Sequence, residues 1–235
     1  MYNISMKILI TSGGTREAID RVRSITNHST GQLGKQIAEI FLEAGHQVSL
    51  VTTRSAVKPD RHPCLTITEI SNVVSLTDAL EPLVKSHDVL IHSMAVSDYS
   101  PLYMTGIEEV AQATNIYDLL QKTNTEGKVS STDEYQVLFL KKTPKVISLV
   151  KEWNPAIQLI GFKLLVDVSQ KELFAAARAS LEKNRADYIL ANDLSDIKDG
   201  QHRAYLVSQD SYVQVESKSQ IAQLILQVVT KGKEA

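Results

Sequence analysis

The sequence predicts an α/β fold, a doubly wound, mainly parallel sheet with helices on both faces and an antiparallel hairpin near the C-terminus. Three observations carry this prediction. Short apolar runs of strand length alternate with segments of helical period, the order that builds parallel sheets. The first run, Lys7-Ile8-Leu9-Ile10-Thr11, ends in Ser12-Gly13-Gly14, as a buried strand entering a glycine loop does. The chain has 235 residues, 43% hydrophobic and 22% charged, a composition that excludes a disordered chain.

The elements follow in order. After the first strand, residues 15–31 form a polar insertion with little periodicity, so the helix is delayed. Leu33, Ile37, Ile40, Phe41 and Ala44 then recur at helical spacing, with Ser29 or Thr30 as cap and Gly45 as a left-handed terminator. Strands are predicted at 47–51, 65–70 and 88–92, with a helix over 76–85 between the last two. Residues 101–133 are polar and read as an active-site flap. A strand at 137–140 precedes a helix that Thr143-Pro144 should open, with Pro144 at the first helical position. A strand at 159–164, a helix at 172–183 and a strand at 188–191 continue the alternation. Residues 204–208 and 212–216 flank Gln209-Asp210-Ser211 as a hairpin, on the sheet or at a subunit contact. Ser217 and Gln220 can form a capping box for a final helix whose inner face is Ile221, Leu224, Ile225 and Val228.

Charge and cysteine usage narrow the functional classes. The formal charge is −2, which argues against a nucleic-acid coat. A lone thiol, Cys64, fits a reducing compartment, so the expected location is the cytoplasm. No run reaches membrane-span length and residues 1–5 do not read as a secretion signal. Residues 1–5 are expected to be a short extension and residues 6–235 a single domain, since no linker or repeat interrupts the pattern.

In open α/β sheets, ligands sit beyond the carboxyl ends of the strands. That rule gathers residues 12–15, 94–98, 161–163 and 192–193. Backbone N–H groups at Gly13-Gly14 and near residues 29–31 suit an anion. A nicotinamide dinucleotide fits less well, because Gly31-x-x-Gly34 lies far downstream of Gly13-Gly14 and no acid ends the second strand. Arg54 could accept a 2′-phosphate, which keeps an NADP-binding Rossmann oxidoreductase as the alternative. In the insertion, Arg16, Arg21 and Arg23 are cations near the anion site, Asn27 and His28 are hydrogen-bond donors, and Asp20 can orient an arginine. The other five histidines show no metal-ligand spacing. Lys128 lies on the flap, and Lys141-Lys142-Thr143-Pro144-Lys145 enters a helix; such lysines suit a polyphosphate.

At these residues the sequence resembles the phosphopantothenate–cysteine ligase family, also called phosphopantothenoylcysteine synthetase. The resemblance runs through Thr11-Ser12-Gly13-Gly14-Thr15-Arg16-Glu17, Asp20-Arg21-Val22-Arg23-Ser24-Ile25-Thr26-Asn27-His28-Ser29-Thr30-Gly31, Met94-Ala95-Val96-Ser97-Asp98-Tyr99, Gly127-Lys128-Val129-Ser130-Ser131, Lys141-Lys142-Thr143-Pro144-Lys145, Gly161-Phe162-Lys163-Leu164 and Ala191-Asn192-Asp193. It implies a reaction in coenzyme A biosynthesis, in which 4′-phosphopantothenate is joined to L-cysteine through an acyl-nucleotide, releasing pyrophosphate and CMP. By this resemblance Asn27 holds the intermediate and Lys128 assists its formation. Arg23, Asn27 and Ala95 contact phosphopantothenate. Gly13, Gly14, Asp98, Lys142, Thr143, Pro144, Lys145, Phe162 and Lys183 contact the nucleotide. Magnesium is expected on the phosphates, with no protein metal ligands. The resemblance further implies a homodimer with active sites near the subunit interface. CTP is preferred over ATP as co-substrate, on likeness to the monofunctional bacterial form. Gly161-Phe162-Lys163-Leu164 is closer to the eukaryotic pattern, and Arg178 and Ala179 stand where bacterial fusion enzymes carry a further nucleotide-contacting lysine.

Overall fold

The structure, a computed structural model, describes residues 5–198 and 201–231. In chain order the elements are β1 (Lys7–Ser12), β2 (Arg16–Ala18), β3 (Ser24–Thr26), α1 (Gln32–Glu43), β4 (Gln47–Thr53), β5 (Leu65–Ile70), α2 (Val73–Ser86), β6 (Val89–His92), β7 (Tyr99–Gly106) and α3 (Ile107–Gln112). There follow a 3-10 segment (Ile116–Gln121), β8 (Gln136–Lys142), α4 (Val146–Trp153), β9 (Gln158–Leu165), α5 (Gln170–Asn184), β10 (Tyr188–Asp193), β11 (Ile197–Lys198), β12 (Gln201–His202), β13 (Ala204–Val207), β14 (Tyr212–Val215) and α6 (Lys218–Lys231). The expected extension at residues 1–5 falls, for residues 1–4, outside the described residues; Ser5 Oγ donates to the Gly45 carbonyl at 3.1 Å.

One eight-stranded sheet has the order β14-β13-β10-β9-β6-β1-β4-β5. The strands from β10 to β5 are mutually parallel. β13 runs antiparallel to β10, and β14 to β13, so the expected C-terminal hairpin closes one edge of the sheet. The chain starts in the middle at β1, winds outward through β4 and β5, then crosses back to β6, β9 and β10. The direction of winding reverses between β1 and β6, which opens a crevice at their carboxyl ends.

The buried side chains explain why the sheet is covered twice. Ile8 and Ile10 of β1 point to one face and pack under Phe41 of α1 and Ile225 of α6, whereas Leu9 points to the other, under Leu76 and Leu80 of α2 and Val150 of α4. Each fully buried Leu, Ile or Phe contributes about 1.5–3 kcal/mol. α5 covers β10 and β13 by packing Leu173, Ala177 and Leu181 against Ile189, Tyr205 and Val207. Gly34 lets α1 lie directly on β1: a Cβ there would overlap the Cβ of Ser12 and meet Ser93 Oγ at 3.1 Å.

Four local expectations are corrected. Ser29 and Thr30 do not cap α1; its N-cap is Gly31 in a left-handed conformation, and Thr30 Oγ1 accepts from the Gln32 N–H at 3.3 Å. Pro144 is not the first helical residue. Thr143 donates its N–H to the Asp98 carbonyl (2.9 Å) and its hydroxyl to the Ser97 carbonyl (2.5 Å), which holds this stretch outside the helix until Val146. The strand expected at 137–140 does form, as part of β8, but it leaves the main sheet and pairs with β7 as a separate antiparallel ribbon. Much of the expected flap is therefore built structure, since β7, α3 and the 3-10 segment account for residues 101–112 and 116–121. Finally, half of the expected box at α6 forms: Ser217 Oγ accepts from Gln220 N–H at 3.2 Å, but the Gln220 side chain accepts from Glu216 N–H at 2.7 Å, one residue earlier than a capping box requires.

Candidate active site

The crevice between β1 and β6 is laced by backbone bonds. Ala95 donates to the Gly13 carbonyl (2.9 Å) and Thr15 donates to the Ala95 carbonyl (3.0 Å). Side chains reinforce this: Ser97 N–H donates to Thr15 Oγ1 (2.9 Å), which donates to Ser97 Oγ (3.0 Å). Below them Thr11 Oγ1 accepts from Met94 N–H (3.3 Å) and shares a hydrogen bond with His92 Nδ1 (2.8 Å). His92 is buried, and burial first, with the nearby Lys145 cation second, pushes its pKa down to about 4. It is a neutral imidazole under the site.

Gly13 and Gly14 line this crest, but their missing side chains are needed by the protein. Gly13 has φ +83°, and a Cβ would come within 2.8 Å of Ala56 Cβ and Thr53 Oγ1; at Gly14 it would meet the Asn27 carbonyl at 2.9 Å. The second contact sets Asn27 beside Gly14 and Ala95, so Gly13, Gly14, Asn27 and Ala95 form one group.

A second group lies at the start of α4. Asp98 accepts from Lys145 Nζ at 2.6 Å, with both side chains more than half exposed. Such a pair contributes about 1 kcal/mol at most. Thr143 is tied to residues 97 and 98 as above, Pro144 follows it, and Lys142 stands opposite Tyr99 in the β7–β8 ribbon. Among the described residues Lys128 and Lys142 have no ion-pair partner, which leaves their charge for an anion.

The third group sits at the tip of the β2–β3 hairpin. Asp20 Oδ1 accepts from the N–H groups of Val22 and Arg23, both at 2.8 Å, while Oδ2 accepts from Arg23 Nε (3.0 Å) and Nη2 (2.6 Å). Arg23 and these backbone donors hold the Asp20 carboxyl well below the usual carboxylate range. The segment carrying Lys128 docks here: Val129 N–H donates to Asp20 Oδ2 (3.1 Å), Arg23 Nη2 donates to the Val129 carbonyl (2.9 Å), and Arg21 N–H donates to the Gly127 carbonyl (3.1 Å). Arg23 and Lys128 thus share the hairpin tip, separated from Asn27 by up to about 13 Å of extended chain.

Two residues stand apart. Phe162 packs half-buried on the face covered by α1 and α6, across the sheet from α4. Lys183 lies in the last turn of α5, which descends from the carboxyl ends of the strands; Asp187 N–H, four residues on, already bonds the Leu159 carbonyl near the start of β9. A 15-residue helix spans about 22 Å, so within one chain Lys183 is at the opposite edge of the sheet from the crest. A shallow cleft also lies at that opposite edge, lined by Lys7, Gln47, Ser49, Cys64, Thr66 and His87. Among the described residues no three His, Cys, Asp or Glu side chains gather as a metal site. None of their helices is long and apolar enough to cross a membrane.

Sequence reasoning missed three contributors. Glu17, buried on β2, accepts from Val73 N–H at 3.0 Å and so caps α2 from outside the helix. The Thr15–Ser97 pair and the second partner of Asp20, Val129, were equally hidden. Only the Asp20-x-x-Arg23 spacing carried a local signal.

Comparison with known proteins places this geometry. The family described as DNA/pantothenate metabolism flavoprotein C-terminal domain matches residues 4–112 and 105–232. The chain is 32% identical over 206 residues to the coenzyme A biosynthesis bifunctional protein CoaBC of Thermococcus kodakarensis, covering 87% of this chain and 45% of that protein. It is 32% identical over 231 residues to the protein of the same name from Methanocaldococcus jannaschii, covering 96% and 50%. The chain spans about half the length of these curated relatives. Among solved structures, the DNA/pantothenate metabolism flavoprotein from Streptococcus pneumoniae superposes with TM-score 0.93 at 58% identity, covering 97% of this chain and 99% of that one. A Cab2 mutant in complex with phosphopantothenate-cysteine shares the fold, with TM-score 0.72 at 18% identity over 96% of this chain and 87% of that one. The chain belongs to the DNA/pantothenate metabolism flavoprotein C-terminal domain family.

Proposed function

We propose that this chain is a phosphopantothenate–cysteine ligase of coenzyme A biosynthesis, acting in the cytoplasm as a homodimer. The observation that carries this reading is the crest itself, where backbone bonds hold Gly13 and Thr15 to Ala95 and set Asn27 alongside. The similar CoaBC proteins, named for coenzyme A biosynthesis, support it, as does the fold neighbour bound to phosphopantothenate-cysteine.

The reaction joins two displacements. The carboxylate of 4′-phosphopantothenate attacks the α-phosphorus of CTP, and the bond to pyrophosphate breaks. The cysteine amine then attacks the acyl carbonyl, loses a proton and expels CMP. Each step builds negative charge, at phosphorus and then at the carbonyl oxygen, so preorganised cations and donors suffice. Lys128 and Lys142 supply charge without an acidic partner of their own, Asn27 donates to the intermediate, and Arg23 binds the substrate phosphate. The residues present do not build a magnesium cage, because Asp98 is paired with Lys145; magnesium enters with the triphosphate, and no step is assigned to it. The NADP reading is not retained, since the β2–β3 hairpin separates the Gly13 turn from the start of α1. Exposed apolar side chains on the β7–β8 arm, among them Tyr117, Tyr135 and Leu140, support a subunit contact.

The test incubates the chain with 4′-phosphopantothenate, cysteine, magnesium and either CTP or ATP. Without cysteine, pyrophosphate should form only in a single turnover; continued turnover, with release of CMP from CTP or AMP from ATP, should require cysteine, with CTP the better substrate. Lys128→Gln should slow acyl-nucleotide formation by about 100-fold, and Asn27→Asp should let the intermediate accumulate. No cysteine-dependent turnover with either nucleotide, or CTP binding without turnover, overturns the reading.

A further inference from the structure

Between residues 20 and 129 the structure joins two segments that local sequence keeps apart. The Asp20 side chain has no solvent exposure, yet it lies at the tip of a hairpin whose neighbours Arg21 and Val22 are exposed. It is covered because three things close over it: its own turn, the Arg23 guanidinium, and the backbone at Val129. One carboxylate oxygen, Oδ2, collects Arg23 Nε, Arg23 Nη2 and Val129 N–H. Arg23 completes a ring by donating Nη2 to the Val129 carbonyl, and Val129 itself is buried. A second tie, from Arg21 N–H to the Gly127 carbonyl, holds the other side of Lys128. Lys128 is therefore the one residue between two anchored neighbours, with its own side chain left in solvent.

We propose that Asp20 is a positioning residue. It latches the 127–129 segment onto the hairpin so that Lys128 and Arg23 are presented to the substrates as one unit. This rests on the ligase reading for its consequence, though not for its geometry. The charges make the arrangement necessary. Arg21, Arg23 and Lys128 are three cations crowded at one tip, and Asp20 is the carboxylate bonded among them. Asp20→Asn removes the charge and, whichever way its amide turns, sets an NH2 against either the three donors at Oδ2 or the two turn N–H groups at Oδ1, so the ring should loosen without loss of side-chain volume.

The latch is tested in the full chain with Asp20→Asn and, independently, with Val129→Pro, which deletes the N–H by which the 127–129 segment reaches the carboxylate and leaves the Asp20–Arg23 pair in place. Thermal melting by circular dichroism first establishes that each variant is folded. Amide hydrogen exchange at Arg21 is then followed in both variants, and at Val129 in Asp20→Asn. We expect exchange at least tenfold faster than in the parent chain. Acyl-nucleotide formation should slow by a similar factor through kcat, and Asp20→Asn added to Lys128→Gln should slow it no further than Lys128→Gln alone. Unchanged exchange overturns the latch, and so does faster exchange with an unchanged rate of acyl-nucleotide formation or a fully multiplicative double variant. A parent chain that forms no acyl-nucleotide, while exchange still responds to both variants, supports the latch and overturns the ligase reading.

Discussion

His92 shows how a single buried side chain constrains the site. It closes β6 beneath the crest, bonded to Thr11, and burial keeps it neutral down to about pH 4, against 6.5 for a free imidazole. The sign of the consequence follows. Between these values the unfolded chain takes up a proton that the folded chain refuses, so the contribution to stability is complete above pH 6.5 and is lost as pH falls through this window. In His92→Gln the drop in unfolding free energy from pH 7 to pH 4.5, measured by urea titration, should be smaller than in the parent chain by about 2–3 kcal/mol. Equal drops would show that His92 is not the group responsible. Residues 94–98 were legible in the sequence as the stretch beyond a strand's carboxyl end, whereas Asn27 stood out only as a hydrogen-bond donor in the polar insertion and through the family resemblance. For His92 the sequence offered only the absence of metal-ligand spacing, since nothing in its neighbours records that the folded chain buries it.

At the scale of elements, most helices and strands follow local chemistry, and the exceptions follow contacts made elsewhere. α5 begins on a purely local signal, two residues before the helix expected over 172–183. Ser169 Oγ accepts from Glu172 N–H and Glu172 reaches back to Ser169 N–H, a complete capping box. Ser169→Ala should destabilise the fold by about 1 kcal/mol in chemical denaturation, with Ser169→Thr keeping most of the parent stability; no change on removing the hydroxyl would deny the cap its role. α4 behaves otherwise. Its Pro144 signal is overridden because Thr143 is held by Ser97 and Asp98, which were 45 residues earlier in the chain. The same remote partnership draws β8 away from the main sheet and onto β7.

For the whole molecule, the strand order matters most, since it places the reversal of winding between β1 and β6 and with it the crest that Gly13, Gly14, Asn27 and Ala95 share. The arm formed by β7, β8 and the segments between them extends from that crest with Tyr117, Tyr135 and Leu140 exposed. Light scattering should therefore report twice the chain mass, and Tyr117→Asp with Leu140→Asp should shift it toward the monomer; a monomeric parent chain would remove the arm from the interface. The fold class, the strands of the main sheet with the helices between them, and the sheet's double cover were legible in the chain, because burial on both faces is recorded locally as apolar runs and helical spacing. Other features needed the tertiary structure: β8 pairing with β7, the 127–129 segment docking on Asp20, and Lys183 lying at the far edge. These depend on hydrogen bonds and packing between residues far apart in sequence, and such pairings leave no periodic trace in either segment.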